Sequence, residues 1–247
     1  MSRKSADVFA RYLGAQFSPV EKPEMRQKPA ITLSRQSGAG ALTVANLVAE
    51  HLNLDYQGDP PRAWTVFDRN LALRILQEHQ LSTSMERYIA EDAKLPLTDA
   101  LESVLGLHPS YWLLRQHTVD TIRRLATQGN VILVGRGASA ITAQLPHVLH
   151  VRLVAPLPDR VRNFADYHQL PQDKAERLVR ETDERRRRYV RTYFEADTED
   201  PTNYDLTINT ARSGFGLAAR LIVNVLIEKL ARGTPATPAT PTSPVSP

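Results

Sequence analysis

Three stretches of this chain carry residue types suited to holding phosphate. In Ile31-Thr-Leu-Ser-Arg-Gln-Ser-Gly-Ala-Gly-Ala-Leu-Thr43 an apolar run of strand length meets a glycine-bearing turn and a helix start. Glycines in such a turn let backbone N–H groups converge on phosphate oxygens at a helix N-terminus, where the helix dipole also favours negative charge. Gly38 and Gly40 supply that cradle. The full phosphate-loop signature G-x-x-x-x-G-K-[ST] asks for glycine at position 35 and lysine at position 41, where this chain has Arg35 and Ala41. The second stretch is Gly135-Arg136-Gly137, in which flanking glycines let an arginine leave a tight turn and offer its planar fork to a phosphate. The third is Arg180-Glu-Thr-Asp-Glu-Arg-Arg-Arg-Arg-Tyr-Val-Arg191. On a helix, Arg180, Glu184, Arg187 and Arg191 share one face, and Arg185 and Arg188 form a neighbouring stripe. Four adjacent guanidinium groups repel one another, and bound phosphates relieve that repulsion. At ~4 Å and an effective dielectric of ~20, one arginine–phosphate contact contributes on the order of 4 kcal/mol before desolvation is subtracted. Two such contacts replace the missing loop lysine electrostatically.

Positioning these groups requires a scaffold, and the chain reads as a mostly parallel sheet covered by helices. Five apolar runs of strand length, Ile31–Ser34, Trp64–Phe67, Val131–Val134, Val148–Val154 and Asp205–Asn209, alternate with helical patterns. Helices are expected over Ala41–Leu52, Ser110–Gln128, Asp159–Tyr167, Asp173–Phe194 and Gly216–Ala231. Residues 69–107 read as helices with no strand between them, an insertion on one sheet edge able to cover a substrate. In open parallel sheets ligands bind beyond the carboxyl ends of the strands. Arg35 and the glycine turn follow the first strand, Asp68 and Arg69 the second, Gly135-Arg136-Gly137 the third. Singly, each is an ordinary loop or cap, Asp68 above all as an N-cap; together, three charged strand ends on one rim make a site.

Composition narrows the chemistry. The 247 residues include no cysteine, which removes disulfides, thiolate metal sites and cysteine nucleophiles together. A net charge of +4 is mild, and arginine heavily outnumbers lysine, which favours anion binding over coating of nucleic acid. No apolar run approaches the ~20 residues of a membrane span, and the N-terminus lacks a signal-peptide core, so a soluble cytoplasmic protein is expected. Residues 1–28 read as an amphipathic helix over Ser5–Phe17 and a Pro-rich linker, 29–232 as the folded domain, and 233–247 as a Pro/Thr tail unable to fold.

The three signals in this order resemble the cytidylate kinase-like family of nucleoside monophosphate kinases. Members carry a Ser-Gly-Ala-Gly-Lys-Gly-Thr loop, which Ser37-Gly-Ala-Gly-Ala-Leu-Thr43 matches except at Ala41 and Leu42. They carry Gly-Arg-Asp after a strand, where this chain has Gly135-Arg136-Gly137, and an arginine-rich lid helix before a last strand. Ser34-Arg-Gln36 and Phe67-Asp-Arg69 are similar to segments of the kinase-like branch. The resemblance implies an α/β P-loop NTPase-like three-layer fold: a five-stranded, mostly parallel sheet, a helical insertion and an arginine-rich lid helix. It also implies ATP and Mg²⁺ as cofactors. Arg35, Ser37, Gly38, Ala39, Gly40, Ala41, Leu42 and Thr43 would then face the ATP phosphates, with the Thr43 hydroxyl a Mg²⁺ ligand. Arg136 would hold the acceptor phosphate or the transferring phosphoryl, Arg185 and Arg188 would close over the transition state, and Asp68 would serve the metal or the acceptor. The expected partner is a nucleotide or other small phosphate acceptor. A nucleotide-binding module without turnover is the second reading, and nucleic-acid binding through the Arg185–Arg191 stripe a weaker third.

Overall fold

A computed structural model describes residues 28–54, 63–68, 109–135 and 137–231. The expected N-terminal helix, the insertion over 69–107, the C-terminal tail and Arg136 lie outside the described residues.

The strands are β1 (Ala30–Arg35), β2 (Thr65–Phe67), β3 (Val131–Val134), β4 (Val148–Val154) and β5 (Leu206–Asn209). They form one sheet in the order β2-β3-β1-β4-β5, and every pairing is parallel. All five expected strands are present, each a short run rich in β-branched or aliphatic residues that a helix-covered parallel sheet can bury. Helices α1 (Ala41–Leu54), α2 (Pro109–Gln128), α3 (Ala138–Ile141), α4 (Leu157–His168), α5 (Gln172–Phe194) and α6 (Thr210–Ala231) connect them. The last begins six residues earlier than its periodicity suggests, since Thr210–Ser213 form a first turn before Gly214 breaks the helical dihedrals at φ 68°, ψ 165°. Gly129 (φ 73°) and Asn130 (φ 50°) end α2 in the left-handed conformation expected of a Gly-Asn stop. No described helix is long and apolar enough to cross a membrane.

The two sheet faces differ in chemistry. Ile31, Leu33, Leu149, Val151 and Leu153 pack with Val44 and Val48 of α1 and with Ile222 and Leu226 of α6 in one apolar cluster. Among the alternate positions of β1 and β4, Thr32, Ser34, His150 and Arg152 face the other way and are polar. Thr32 Oγ1 lies 2.8 Å from His150 Nδ1. Arg152, only 4% exposed, donates through Nη1 to Ser34 Oγ at 2.9 Å and through Nη2 to Glu199. The Tyr204 ring lies beneath the Arg152 guanidinium, and its hydroxyl donates to Ser34 Oγ at 3.2 Å. Polar groups this deep persist because partners replace the water they lose.

Burial leaves a pH signature. The His150 ring is held below its ordinary pKa of 6.5 first by burial, with Asp205 opposing the shift and Lys229 reinforcing it. His147 is lowered from the same value, again chiefly by burial; its contact to the Ala126 carbonyl opposes this and Lys229 reinforces it. A lowered pKa means that between the native value and 6.5 the unfolded chain binds more protons than the folded one. Stability is therefore unaffected by these rings above about pH 6.5 and falls as pH drops below it. Urea midpoints are expected to be flat from pH 8 to 7 and to decline from 6.5 towards 5. His147→Gln and His150→Gln should each flatten that decline; an unchanged slope in both would contradict the assignment.

Candidate functional site

The carboxyl edge of the sheet is built by the turns that leave β1, β3 and β4. Beyond Arg35 the chain turns through Gln36–Gly40 into α1, with Gly38 at φ 79° and Gly40 at φ 76°. Both conformations disfavour side chains, and both glycines are also tightly approached: a Cβ on Gly38 would lie 2.1 Å from the Arg160 carbonyl oxygen, and one on Gly40 2.3 Å from the Phe215 ring. Gln36 anchors the turn to β4, its N–H donating to the Leu153 carbonyl and its Oε1 accepting from the Ala155 N–H. Ala41, Leu42 and Thr43 open α1, so their N–H groups have no intrahelical acceptor. Among the described residues none of the three finds another acceptor. A left-handed glycine turn that leads into unsatisfied amides at a helix start fits a phosphate group.

Two helices close over this turn. Arg160 of α4 is buried and reaches three partners: Nε donates to the Ala155 carbonyl at 2.9 Å, Nη1 to the Ser37 carbonyl at 3.2 Å and to Asp183 Oδ2 at 2.6 Å. Asn163 donates to the Gly38 carbonyl at 3.1 Å. From α5, Asp183 Oδ1 accepts the Ser37 N–H at 2.6 Å, and Arg186 Nη1 donates to Ser37 Oγ at 2.7 Å. The resulting cleft is lined by Ser34, Arg35, Gln36, Arg152, Asp183 and Arg186 among others, with Gly137 and Tyr189 also in its wall.

The residues expected from the sequence are distributed as follows. Arg35 lines the cleft, half-buried at the end of β1. Ser37, Ala39 and Ala41 are buried, Gly38 and Gly40 partly so, and Leu42 and Thr43 are exposed on the first turn of α1. The Ala41 side chain belongs to the apolar cluster, so the position that holds lysine in the full signature here packs against hydrocarbon. Asp68 follows β2, which β3 separates from β1, and is not among the residues lining the cleft. Gly135 (φ 78°) and Gly137 (φ 68°) flank Arg136 in left-handed conformations, and the Phe194 ring lies where a Gly137 Cβ would stand. Arg185 reaches Glu181 at 3.5 Å and Thr182 Oγ1 at 3.2 Å, while its Nε is buried with no acceptor among the described residues. Arg188, with its side chain 72% exposed, lies 3.8 Å from Glu184. Those described residues include no group of three or more His, Asp or Glu placed to hold a metal.

Arg152 and Arg160 lie outside the three stretches, and Asp183 and Arg186 lie within the third with no role of their own, although the four dominate the polar contacts of the site. Arg160 had a readable signal: it falls on the Leu157–Val161–Phe164 face of α4, where an arginine must find partners. Asp183 and Arg186 continue the spacing of the buried Ala175, Val179 and Thr182, the face on which α5 docks.

A sequence model described as the cytidylate kinase-like family matches residues 30–212. The cytidylate kinase of Desulfurococcus amylolyticus is 27% identical over 205 residues, covering 81% of this chain and 95% of that protein. The cytidylate kinase of Methanopyrus kandleri is 26% identical over 191 residues, covering 74% and 84%. A crystal structure of an uncharacterized protein from Eubacterium ventriosum shares the fold, with a TM-score of 0.59 at 17% identity over 81% of this chain and 99% of the other. The matched span runs from the first residue of β1 through the glycine turn and α5 into α6, and this chain is accordingly a member of the cytidylate kinase-like family.

Proposed function

We propose that this chain binds ATP at the Ser37–Thr43 turn and transfers its terminal phosphoryl group to a nucleoside monophosphate of the CMP type or another small acceptor. The observation that carries the reading is the convergence of Arg160 and Arg186 on Ser37, which puts guanidinium charge at the loop where Ala41 withdraws an ammonium. Phosphoryl transfer needs little covalent chemistry from the protein and depends on positioning and charge. In this reading the amides of α1's first turn hold the donor phosphates. Arg35 and Arg186 balance charge in the cleft, Thr43 offers its hydroxyl to Mg²⁺, and Arg136 takes the acceptor phosphate. Mg²⁺, when bound, would screen the phosphate oxygens from one another. Arg185 and Arg188 act as lid residues only after α5 rearranges, since both now bond within their own helix; Asp68 serves the acceptor from the β2 side.

An ATP- and Mg²⁺-dependent rise in melting temperature is expected, together with ADP release in a coupled assay with CMP, dCMP, UMP or AMP. Turnover no greater than that of Arg136→Met would remove these kinase reactions. No thermal shift at any ATP concentration would remove nucleotide binding with them. The packing of Ala41 in the apolar cluster favours a second reading, a nucleotide-responsive module without turnover, for which the expected outcome is a thermal shift with no ADP. Nucleic-acid binding gains no support from the arginine helix, where Arg180 pairs with Glu176 and Arg187 with Glu184 on exposed faces.

A further inference from the structure

Asp183 occupies an unusual position for a carboxylate. One oxygen accepts a backbone N–H from the glycine turn and the other a buried guanidinium, both at 2.6 Å, and a second guanidinium, that of Arg186, stands 3.9 Å away. An amide N–H and two arginines around one anionic oxygen pair is the chemistry with which proteins hold phosphoryl oxygens. Asp183 reaches this turn from α5, 146 positions away along the chain.

We infer that Asp183 is a resident stand-in for a phosphoryl group, a latch between α5 and the loop that an incoming polyphosphate displaces. The inference rests on the proposed phosphate site and adds the way that site is controlled. Arg160 does not travel with the latch, because its Nε is tied to the Ala155 carbonyl and its Nη1 also to the Ser37 carbonyl. When Asp183 leaves, a buried cation and a buried amide remain, and only another anion satisfies both. The helix can supply the motion. Its buried residues, Ala175, Val179 and Thr182, all precede position 183, and from Asp183 to Phe194 every side chain is half-buried or exposed. Release of Asp183 would therefore loosen the arginine-bearing half of α5, leaving it held by the Arg186–Ser37 Oγ bond and by the Phe194 ring against Gly137, while its first half stays docked on α4. The loosened half would let Arg185 and Arg188 turn toward a ligand.

Calorimetric titration of inorganic tripolyphosphate into the full chain, wild type against Asp183→Asn and Asp183→Ser, tests this. Neutral replacements remove the competing charge, so at least tenfold tighter binding is expected, with a lower melting temperature without ligand and a larger rise when ligand is added. Equal or weaker binding by folded variants, while wild type binds, would overturn the latch and leave the phosphate site standing. No binding by wild type or either variant would overturn both. Should the variants not fold, the wild-type amide of Ser37 still decides: its ¹H–¹⁵N resonance must move along the same saturation curve as tripolyphosphate binding. A stationary Ser37 signal at saturation would refute displacement.

Discussion

Gly38→Ala is expected to lower the unfolding free energy by about 2–5 kcal/mol and to abolish any ATP-dependent thermal shift. Two independent costs add: holding an alanine in the left-handed region, about 1–2 kcal/mol, and forcing a methyl into an occupied space, about 1–3 kcal/mol. The second cost is firm because the obstacle at 2.1 Å is the backbone oxygen of Arg160 and not the tip of a flexible side chain. Gly214→Ala separates the two. Nothing lies within 4 Å of its added Cβ, so only a conformational cost should appear, about 1–3 kcal/mol for the glycine-favoured region at φ 68°, ψ 165°. Urea unfolding of both variants checks the difference. Equal losses would mean that the turn yields to a methyl and is not fixed against α4.

The second large effect is expected at Arg160. Arg160→Met removes the charge partner of Asp183 and the two hydrogen bonds that join α4 to the turn and to α5, together with a third to the Ala155 carbonyl just before α4. Breaking a buried pair by deleting one member costs about 3–5 kcal/mol, because the other charge stays behind uncompensated. The Asp183 side chain is 18% exposed, so some water relieves it and the lower part of that range is the expectation. Arg160→Lys should recover little, since an ammonium cannot reach the Ala155 carbonyl and the Ser37–Asp183 pair at once. Full recovery by lysine would show that charge alone matters here and that the planar fork does not. The double variant Arg160→Met with Asp183→Leu should be less destabilised than Arg160→Met alone, because no stranded charge remains.

The sequence disclosed the scaffold well because each strand is a short run rich in Val, Ile, Leu or Phe between helical patterns, the order of a covered parallel sheet. It also disclosed the turn, since Gly38 and Gly40 between a strand and a helix start read as a backbone cradle, and both adopt positive φ. Side-chain roles on α5 were harder. The run Arg185–Arg188 draws the eye as a stripe of charge, yet which arginine meets the loop is decided by helix phase: Arg186 falls in line with Ala175, Val179 and Thr182, while Arg188 faces outward. Arg160 hides for a similar reason. Its place on the Leu157–Val161–Phe164 face marks it for burial, but its partners follow from the close approach of α4 to Gly38, which no local pattern records. Arg152 sits within an otherwise apolar strand, and its partner Glu199 lies 47 positions away.

The unequal faces of β1 and β4 also bear on how the chain avoids misassembly. Correct alignment pairs Thr32 with His150 and Ser34 with Arg152 on one side of the sheet. A slip of one residue between these two central strands would thrust an imidazole and a guanidinium into the hydrocarbon layer beneath α1 and α6 and turn leucines out toward the polar side. Such an error would leave a charge with no counter-ion, and the growing sheet would reject it. The polar stripe therefore disfavours misregistered pairing of the two strands, and its conversion to valine and leucine is expected to make such pairings more competitive.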